Sequence, residues 1–279
     1  MVSPLEAGYR ISDQPVYEDA QLARYATDDP TVFIEVFTPP ESGTAVTDPK
    51  LQFSMSIPPR ADQEPDFSKY IDLYEDIRSR LMALNLQDFI PEIVDSDLDD
   101  YWVAFGVDPG LYSLEAVRAS FPDGLKGRDA AWITKRILMV LEVTGRRNNL
   151  VPGNLLIHPE KHGIVLLGWQ PIEDPDVYPL DQLKVLLEAN LARTKDCAQQ
   201  IEFIGKASEA FKENRVGQEN LKLDSSRGLF GYGDALREFA MKLRQIYGPD
   251  RFHRMELDPD YSLSYLHDES RLAREGSGR

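Results

Sequence analysis

The chain has 279 residues, of which 42% are hydrophobic and 10% aromatic, and its formal net charge is −16. This composition predicts a folded chain with ample core and excludes a disordered one. The acidic balance disfavours a nucleic-acid partner, because phosphate backbones repel a negative surface. A single cysteine, Cys197, excludes an internal disulfide framework and a cysteine-rich zinc site, and we expect it to be a buried helix thiol.

The first third of the chain reads as strands followed by one helix. We predict strands at residues 9–11, 21–26 and 31–37, the last because it is rich in β-branched and aromatic residues. Residues 39–65 contain proline, aspartate and serine and predict an insertion or a long loop with one possible strand at 50–57. Apolar residues spaced by three and four predict a helix over 66–84, and two further strands follow at 89–94 and 100–105.

From Ser113 onward the pattern becomes helical. Ser113 is the expected N-cap of a short helix, and an amphipathic helix is predicted over 128–144. Strands at 155–157 and 164–167 flank a turn that contains His158 and His162. Histidines four residues apart can indicate a metal site on a helix, but Pro159 and Gly163 favour a turn. Further helices are expected at 180–190, 196–213 and 232–247, and residues 258–279 form a polar end.

One segment in this half carries a recognisable motif. Residues 147–154 read Arg-Asn-Asn-Leu-Val-Pro-Gly-Asn, and residues 168–170 read Gly-Trp-Gln. They resemble the catalytic loop and the metal-binding loop of protein kinases, which read approximately His-Arg-Asp-Leu-Lys-Pro-Glu-Asn and Asp-Phe-Gly. Pro152 and Asn154 match the kinase pattern. Arg147 stands at the histidine position, Asn149 at the catalytic aspartate and Gly168 at the metal-binding aspartate.

Three further stretches narrow the resemblance. Residues 112–132 contain Phe-Pro-Asp-Gly-Leu and Arg-Asp-Ala-Ala-Trp, residues 158–163 read His-Pro-Glu-Lys-His-Gly, and residues 243–252 read Leu-Arg-Gln-Ile-Tyr-Gly-Pro-Asp-Arg-Phe. These are similar to bacterial kinase-like proteins, some of which carry a J-domain. The resemblance implies an α+β, protein-kinase-like bilobal fold. A small antiparallel β lobe would occupy 1–110, a reduced and mainly helical C-lobe 111–255, and a polar tail 256–279.

The resemblance also indicates which kinase groups this chain lacks. The loop at 12–19, where a kinase covers the phosphates with glycines, has no glycine and instead carries Asp13, Glu18 and Asp19. By register, Glu35 stands where the strand lysine should be, although it can equally be a solvent-facing strand residue. Glu75 can replace the glutamate of the kinase regulatory helix or simply lie on a solvated helix face.

Phosphoryl transfer needs the lysine, the base and the metal ligands together. Asn154 alone remains, and an amide without carboxylates is a weak magnesium ligand. We therefore predict no catalytic, cofactor-binding or metal-binding residues, and no binding of ATP. The expected function is that of a pseudokinase, a protein-binding, regulatory or scaffold module. The alternatives are an atypical phosphotransferase or nucleotidyl transferase, or a structural subunit of a larger assembly.

The expected partner is another protein, with no nucleic acid and no membrane insertion. Only about ten residues separate Gly168 from the next predicted helix, so the activation segment is short and should uncover part of the helical lobe. Residues 39–65 and 258–279 have no place in a minimal kinase fold and are either docking elements or decoration. The N-terminal residues lack a basic region followed by an apolar run, and no run reaches the roughly 18 residues of a membrane span, so we expect a cytoplasmic protein.

Overall fold

A computed structural model describes residues 4, 7–18, 22–29, 31–37, 67–108, 110–121, 123–144, 148–159, 161–169, 178–220, 231–249 and 255. For residues 214–220 only the backbone is described. Parts of the sequence discussed above therefore lie outside the described residues, among them the insertion at 39–65, the tail at 256–279, Arg147, Gln170 and residues 250–252.

Five strands form one antiparallel sheet in the order β1-β2-β3-β5-β4. Their bounds are Tyr17–Glu18 (β1), Leu22–Ala26 (β2), Val32–Phe37 (β3), Glu92–Asp97 (β4) and Trp102–Gly106 (β5). The inner face carries Phe33, Val103 and Phe105, which belong to the main core. Ile34, Trp102 and Ala104 form a smaller apolar cluster on the other face. The alternation along each strand therefore separates two layers, as strand geometry requires.

The beginning of the sheet differs from the prediction. Residues 9–11 contribute only an isolated bridge between Ile11 and Thr27. The first strand is instead β1, which lies inside the loop predicted at 12–19 and pairs with β2 through Tyr17 opposite Arg24. A strand of two residues is too short to show an alternating pattern, so β1 has no periodic signal in the sequence. Asp13 and Glu18 are exposed, and Asp19 lies outside the described residues.

One helix, α1 (Phe67–Met82), packs on the inner face of the sheet and confirms the helix predicted over 66–84. Its buried side chains include Tyr70, Tyr74, Ile77 and Leu81, which recur at the spacing of one helix face. Glu75 is exposed, so the interpretation as a solvated residue is the correct one. A short 3-10 turn at Gln87–Phe89 precedes β4, and both β4 and β5 begin two to three residues later than predicted.

The rest of the described chain is mainly helical around a three-stranded sheet. The helices are α2 (Leu114–Ala119), α3 (Gly127–Thr144), α4 (Pro179–Asn190), α5 (Lys195–Asn220) and α6 (Tyr232–Tyr247), and the strands are β6 (Tyr112–Ser113), β7 (Leu155–His158) and β8 (Gly163–Leu166). The Ser113 side chain accepts a hydrogen bond from the Ala116 amide at 3.1 Å, which confirms the expected N-cap of α2. Cys197 is buried in α5, as expected.

These elements confirm the predicted α+β class, with a small antiparallel lobe and a mainly helical second lobe. Its core is continuous from the inner face of the five-stranded sheet through α1 to α3 and the β7–β8 hairpin. Among the described residues, no helix is both long enough and apolar enough to cross a membrane.

Candidate functional site

The candidate site lies where the inner face of the five-stranded sheet, helix α1 and the loop before β7 meet. The structure brings together four positions that the kinase comparison singled out: Glu35 on β3, Asn149 and Asn154 in the loop, and Gly168 after β8. A residue that the sequence did not single out, Arg24 on β2, connects them.

Arg24 and Glu35 form a buried ion pair. They are direct cross-strand partners on the inner face of the sheet. Arg24 Nε and Nη2 donate to Glu35 Oε1 at 3.0 and 2.6 Å. The side chains are 1% and 0% exposed, respectively, so the solvent-facing interpretation of Glu35 is wrong. A charge this deep persists only when it is paired, and each partner here neutralises the other.

The same guanidinium reaches across to the loop. Nη1 donates to the carbonyl oxygen of Gly153 at 2.7 Å, and Nη2 donates to Asn154 Oδ1 at 3.1 Å. The Tyr17 ring covers the group, with Arg24 Cζ 4.8 Å from the ring centroid, and the Phe33 ring lies 5.5 Å away. The loop carbonyl and amide therefore accept from a cation that the sheet supplies.

Two tyrosines of α1 complete the set. The Tyr70 hydroxyl donates to Glu35 Oε2 at 2.7 Å, and the Tyr74 hydroxyl accepts from the Gly168 amide at 3.2 Å. Burial, followed by the charge of Glu35, raises the pKa of both tyrosines well above the usual value. Both phenols therefore stay neutral. We call Arg24, Glu35, Tyr70, Gly153 and Asn154 the Arg24 cluster.

Backbone contacts fix the loop that carries Asn149 and Asn154. The Asn149 amide donates to the Gly168 carbonyl at 2.9 Å, and Asn154 Nδ2 donates to the Asn149 carbonyl at 3.2 Å. The neighbouring Asn148 donates to the Leu167 carbonyl at 2.6 Å. Asn154 therefore uses its oxygen for Arg24 and its nitrogen for the loop. At the catalytic aspartate position, Asn149 is buried, with 7% of its surface exposed.

Two glycines of the site have no room for a side chain. Gly168 has a φ of +73°, and a Cβ on it would lie 2.3 Å from Asn154 Nδ2. A Cβ on Gly153 would lie 2.2 Å from the Tyr17 ring. Real Cβ atoms do not approach other atoms so closely, and a positive φ adds strain for any L side chain. An aspartate at position 168 is thus incompatible with the position of Asn154.

The histidines do not form a metal site in this structure. His158 ends β7, whereas His162 lies in the following turn with a φ of 53° and stacks on Trp132, the ring centroids 4.5 Å apart. This confirms the turn interpretation. In the part of the chain that the structure describes, no group of three or more histidine, cysteine, aspartate or glutamate side chains is arranged to hold a metal ion.

A surface groove of about 480 Å³ lies elsewhere, between α4 and α5. Asp181, Lys184, Glu202 and Lys206 are among its lining residues, and none of the lining residues belongs to the Arg24 cluster. The charges in the groove form ion pairs, such as Lys206 with Glu202 at 2.5 Å and Lys212 with Asp181 at 2.8 Å. Exposed pairs of this kind are ordinary solvated surface, so the groove gives no indication of chemistry.

Sequence reasoning missed Arg24, Tyr17 and the roles of the two α1 tyrosines. One signal was available in the sequence. Arg24 is two residues from Leu22 and from Ala26, so all three lie on the same buried face of β2. An arginine at an inward position of a strand demands a buried carboxylate opposite, and Glu35 is the acidic residue of the next strand.

The comparisons with known proteins concern structure alone, because no protein-family model and no curated protein sequence matches the chain. Among solved structures, the kinase domain of PknI from Mycobacterium tuberculosis is similar at 15% identity and a TM-score of 0.38, covering 96% of each chain. A MAP kinase of Leishmania major, LmaMPK10, is similar at 13% identity and a TM-score of 0.38, over 100% of this chain and 96% of its own. Both of these solved structures are of protein kinases.

Proposed function

We propose that this chain is a catalytically inactive, kinase-like protein that acts by binding another protein. The observation that carries the first half is the position of the Arg24 guanidinium. It lies between Glu35 and Asn154, the two positions that the resemblance assigns to the phosphate-binding lysine and to a magnesium ligand. The positive charge between Glu35 and Asn154 is therefore supplied by the chain itself, through Arg24.

The electrostatics of the cluster support this proposal. A nucleotide triphosphate needs cations that face its phosphates, and magnesium needs carboxylate or phosphate oxygens. The positive charge of Arg24 is already neutralised by Glu35, and Asn154 Oδ1 already accepts from Arg24. To admit a phosphate, Arg24 would have to leave a buried carboxylate unpaired, which costs about 3–5 kcal/mol.

The close packing of Gly168 against Asn154 also supports the proposal that the chain is catalytically inactive. Kinase chemistry places a metal-binding aspartate there, and this structure has no space for even a Cβ. A side chain at position 168 would require Asn154 to move from its bonds with Arg24 and the Asn149 carbonyl.

The protein-binding half of the proposal rests on the sequence. The finer sequence resemblance, to bacterial kinase-like proteins that can carry a J-domain, suggests a fold retained for its shape. The insertion at 39–65 and the tail at 258–279, which we propose as docking elements, lie outside the described residues. We propose a protein partner and neither nucleic acid nor a membrane, because the net charge of −16 repels phosphate-rich surfaces.

A calorimetric titration tests the absence of nucleotide binding. We expect no saturable heat when Mg·ATP is added to the full chain up to about 1 mM, the range of a weak complex. The informative comparison is Arg24→Ala, in which the guanidinium no longer blocks the space but Glu35 still repels phosphate, so it too should give no saturable heat. Saturable binding to the wild-type chain, together with phosphate or nucleotide transfer to any substrate, would favour the atypical enzyme instead.

The protein-binding half needs a separate experiment. We compare three proteins: the 279-residue chain, a variant lacking 39–65 and a variant lacking 258–279. Each is cross-linked in lysate of the native source and captured. We expect one specific partner, retained by the full chain and weakened by one deletion, while circular dichroism confirms that each deletion variant is folded. A chain that is monomeric and partnerless in its own lysate would contradict this half and leave the nucleotide result unaffected.

A further inference from the structure

One side chain of the sheet, Arg24, donates hydrogen bonds to the loop before β7. Arg24 belongs to the sheet, whereas Gly153 and Asn154 belong to the loop that precedes β7. Four hydrogen bonds run from the guanidinium, two to Glu35 and two to the loop. Because a guanidinium has five N–H donors in a fixed plane, these bonds define the position of the loop relative to the sheet in two directions.

We propose that Arg24 is an internal cation that holds the small sheet and the helical lobe in one fixed orientation. It is a conformational device in which a side chain of the small lobe does what a bound ligand between two lobes would otherwise do. The inference goes beyond the proposed function and does not depend on it, since the orientation of the lobes can be measured without a nucleotide or a partner.

The acceptors require a cation there. Glu35 Oε1, the Gly153 carbonyl and Asn154 Oδ1 all face Arg24, and three oxygen acceptors around one buried point repel each other unless a donor of positive charge lies between them. The rings of Tyr17 and Phe33 flank the guanidinium and reduce its access to water. In such surroundings electrostatic interactions are strong, and so is the repulsion when the cation is removed.

Other contacts also join the two lobes. Away from the cluster, Arg80 Nη1 donates to the Thr144 carbonyl at 3.4 Å, and Arg136 Cζ lies 5.4 Å from the Phe89 ring centroid. Beside the cluster, two contacts lack its charge. The Tyr74 hydroxyl accepts from the Gly168 amide, and the Tyr17 ring lies directly against Gly153. Both are single contacts between neutral groups. They position the loop once the lobes have approached, whereas the three oxygen acceptors push the loop and the sheet apart when Arg24 is missing. The arrangement therefore predicts a looser pair of lobes for Arg24→Ala.

The experiment measures the distance between the lobes with paired spin labels. Ser96 on β4 and Ala189 on α4 are exposed and lie on opposite sides of the junction, so both are changed to cysteine and labelled. Cys197 is buried and stays unlabelled under native conditions. Pulsed electron spin resonance should give one narrow distance distribution for the chain with Arg24. We expect Arg24→Ala to broaden this distribution at least about twofold, because the broken ion pair opposes closure.

Chemical rescue separates a clamp from mere packing. Ethylguanidinium, added in the millimolar range, carries the missing cation and should restore the narrow distribution of Arg24→Ala. Ethylammonium at the same concentration is the control for charge, because it lacks the planar donors, and it should restore less. Wild-type chain with ethylguanidinium should show no change. Thermal unfolding is measured on these three samples and on untreated Arg24→Ala. Among the Arg24→Ala samples, only the one with ethylguanidinium should recover the midpoint of the wild type.

A second variant covers the case in which Arg24→Ala does not fold. Asn154→Ala keeps the Arg24–Glu35 pair intact and removes one of the two loop acceptors, so it should fold and show a smaller broadening of the same kind. The inference is overturned if every variant that folds, whether one or both, keeps the narrow distance distribution of the wild type. It is also overturned if Arg24→Ala broadens but ethylguanidinium and ethylammonium act alike, because the side chain would then contribute packing and not the cation.

Discussion

Removing Glu35 tests the energetics of the Arg24 cluster directly. In Glu35→Met, Arg24 keeps only the Gly153 carbonyl and Asn154 Oδ1 as acceptors and loses its counter-charge while 1% exposed. Breaking a buried pair from one side costs about 3–5 kcal/mol. At roughly 2–4 °C per kcal/mol for a chain of this size, the midpoint of thermal unfolding should fall by roughly 6–20 °C.

The double variant gives the sharper test. Arg24→Met alone leaves Glu35 with only the Tyr70 hydroxyl and should cost a similar amount. Arg24→Met combined with Glu35→Met removes both charges and leaves the Tyr70 hydroxyl and the two loop acceptors unsatisfied, at about 1 kcal/mol or more each. The double variant should therefore be more stable than the sum of the single losses predicts, with a coupling energy of at least about 2 kcal/mol.

Urea unfolding followed by circular dichroism measures all three variants, and the slopes show whether the transition stays two-state. The control is Glu188→Met, which removes one partner of the exposed pair between Lys184 and Glu188 at 3.6 Å. That change should cost less than about 0.5 kcal/mol. If Glu35→Met costs no more than the control, or if the losses of the two single variants simply add, the buried pair does not hold the site as described.

Two further outcomes follow from the same site. Gly168→Ala should lower the free energy of unfolding by more than Gly248→Ala does, as urea unfolding would measure, because both glycines have positive φ but only the Cβ at 168 meets Asn154; equal losses would show that Asn154 yields. The raised pKa of Tyr70 means that its contribution to stability is full below about pH 10 and is lost as the pH rises through the folded-state value. Tyr70→Phe should therefore flatten the decline of stability above about pH 10, and an unchanged decline would contradict the assignment.

The order of elements could be predicted from local patterns. The helix over 66–84 follows from apolar residues at helical spacing. The helix predicted at 232–247 agrees with α6, and Gly248, directly after its last residue, is an ordinary signal for a helix end. Three residues of the 147–170 motif, Asn149, Asn154 and Gly168, do lie together. Glu35 lies outside that motif and is linked to Asn154 through Arg24.

The tertiary structure alone decided how those positions interact. The sequence predicted only that Glu35 stands where a kinase has its strand lysine, and it left open whether Glu35 faces water. Pairing of β2 with β3 places Arg24 opposite Glu35, and packing of the sheet on the loop brings that guanidinium to Asn154. Cross-strand register and the contact between lobes join residues that are 11 and 130 positions apart, so no local window of sequence contains them. The sequence by itself determined most of the strands and helices, and only the fold placed Arg24 between Glu35 and Asn154.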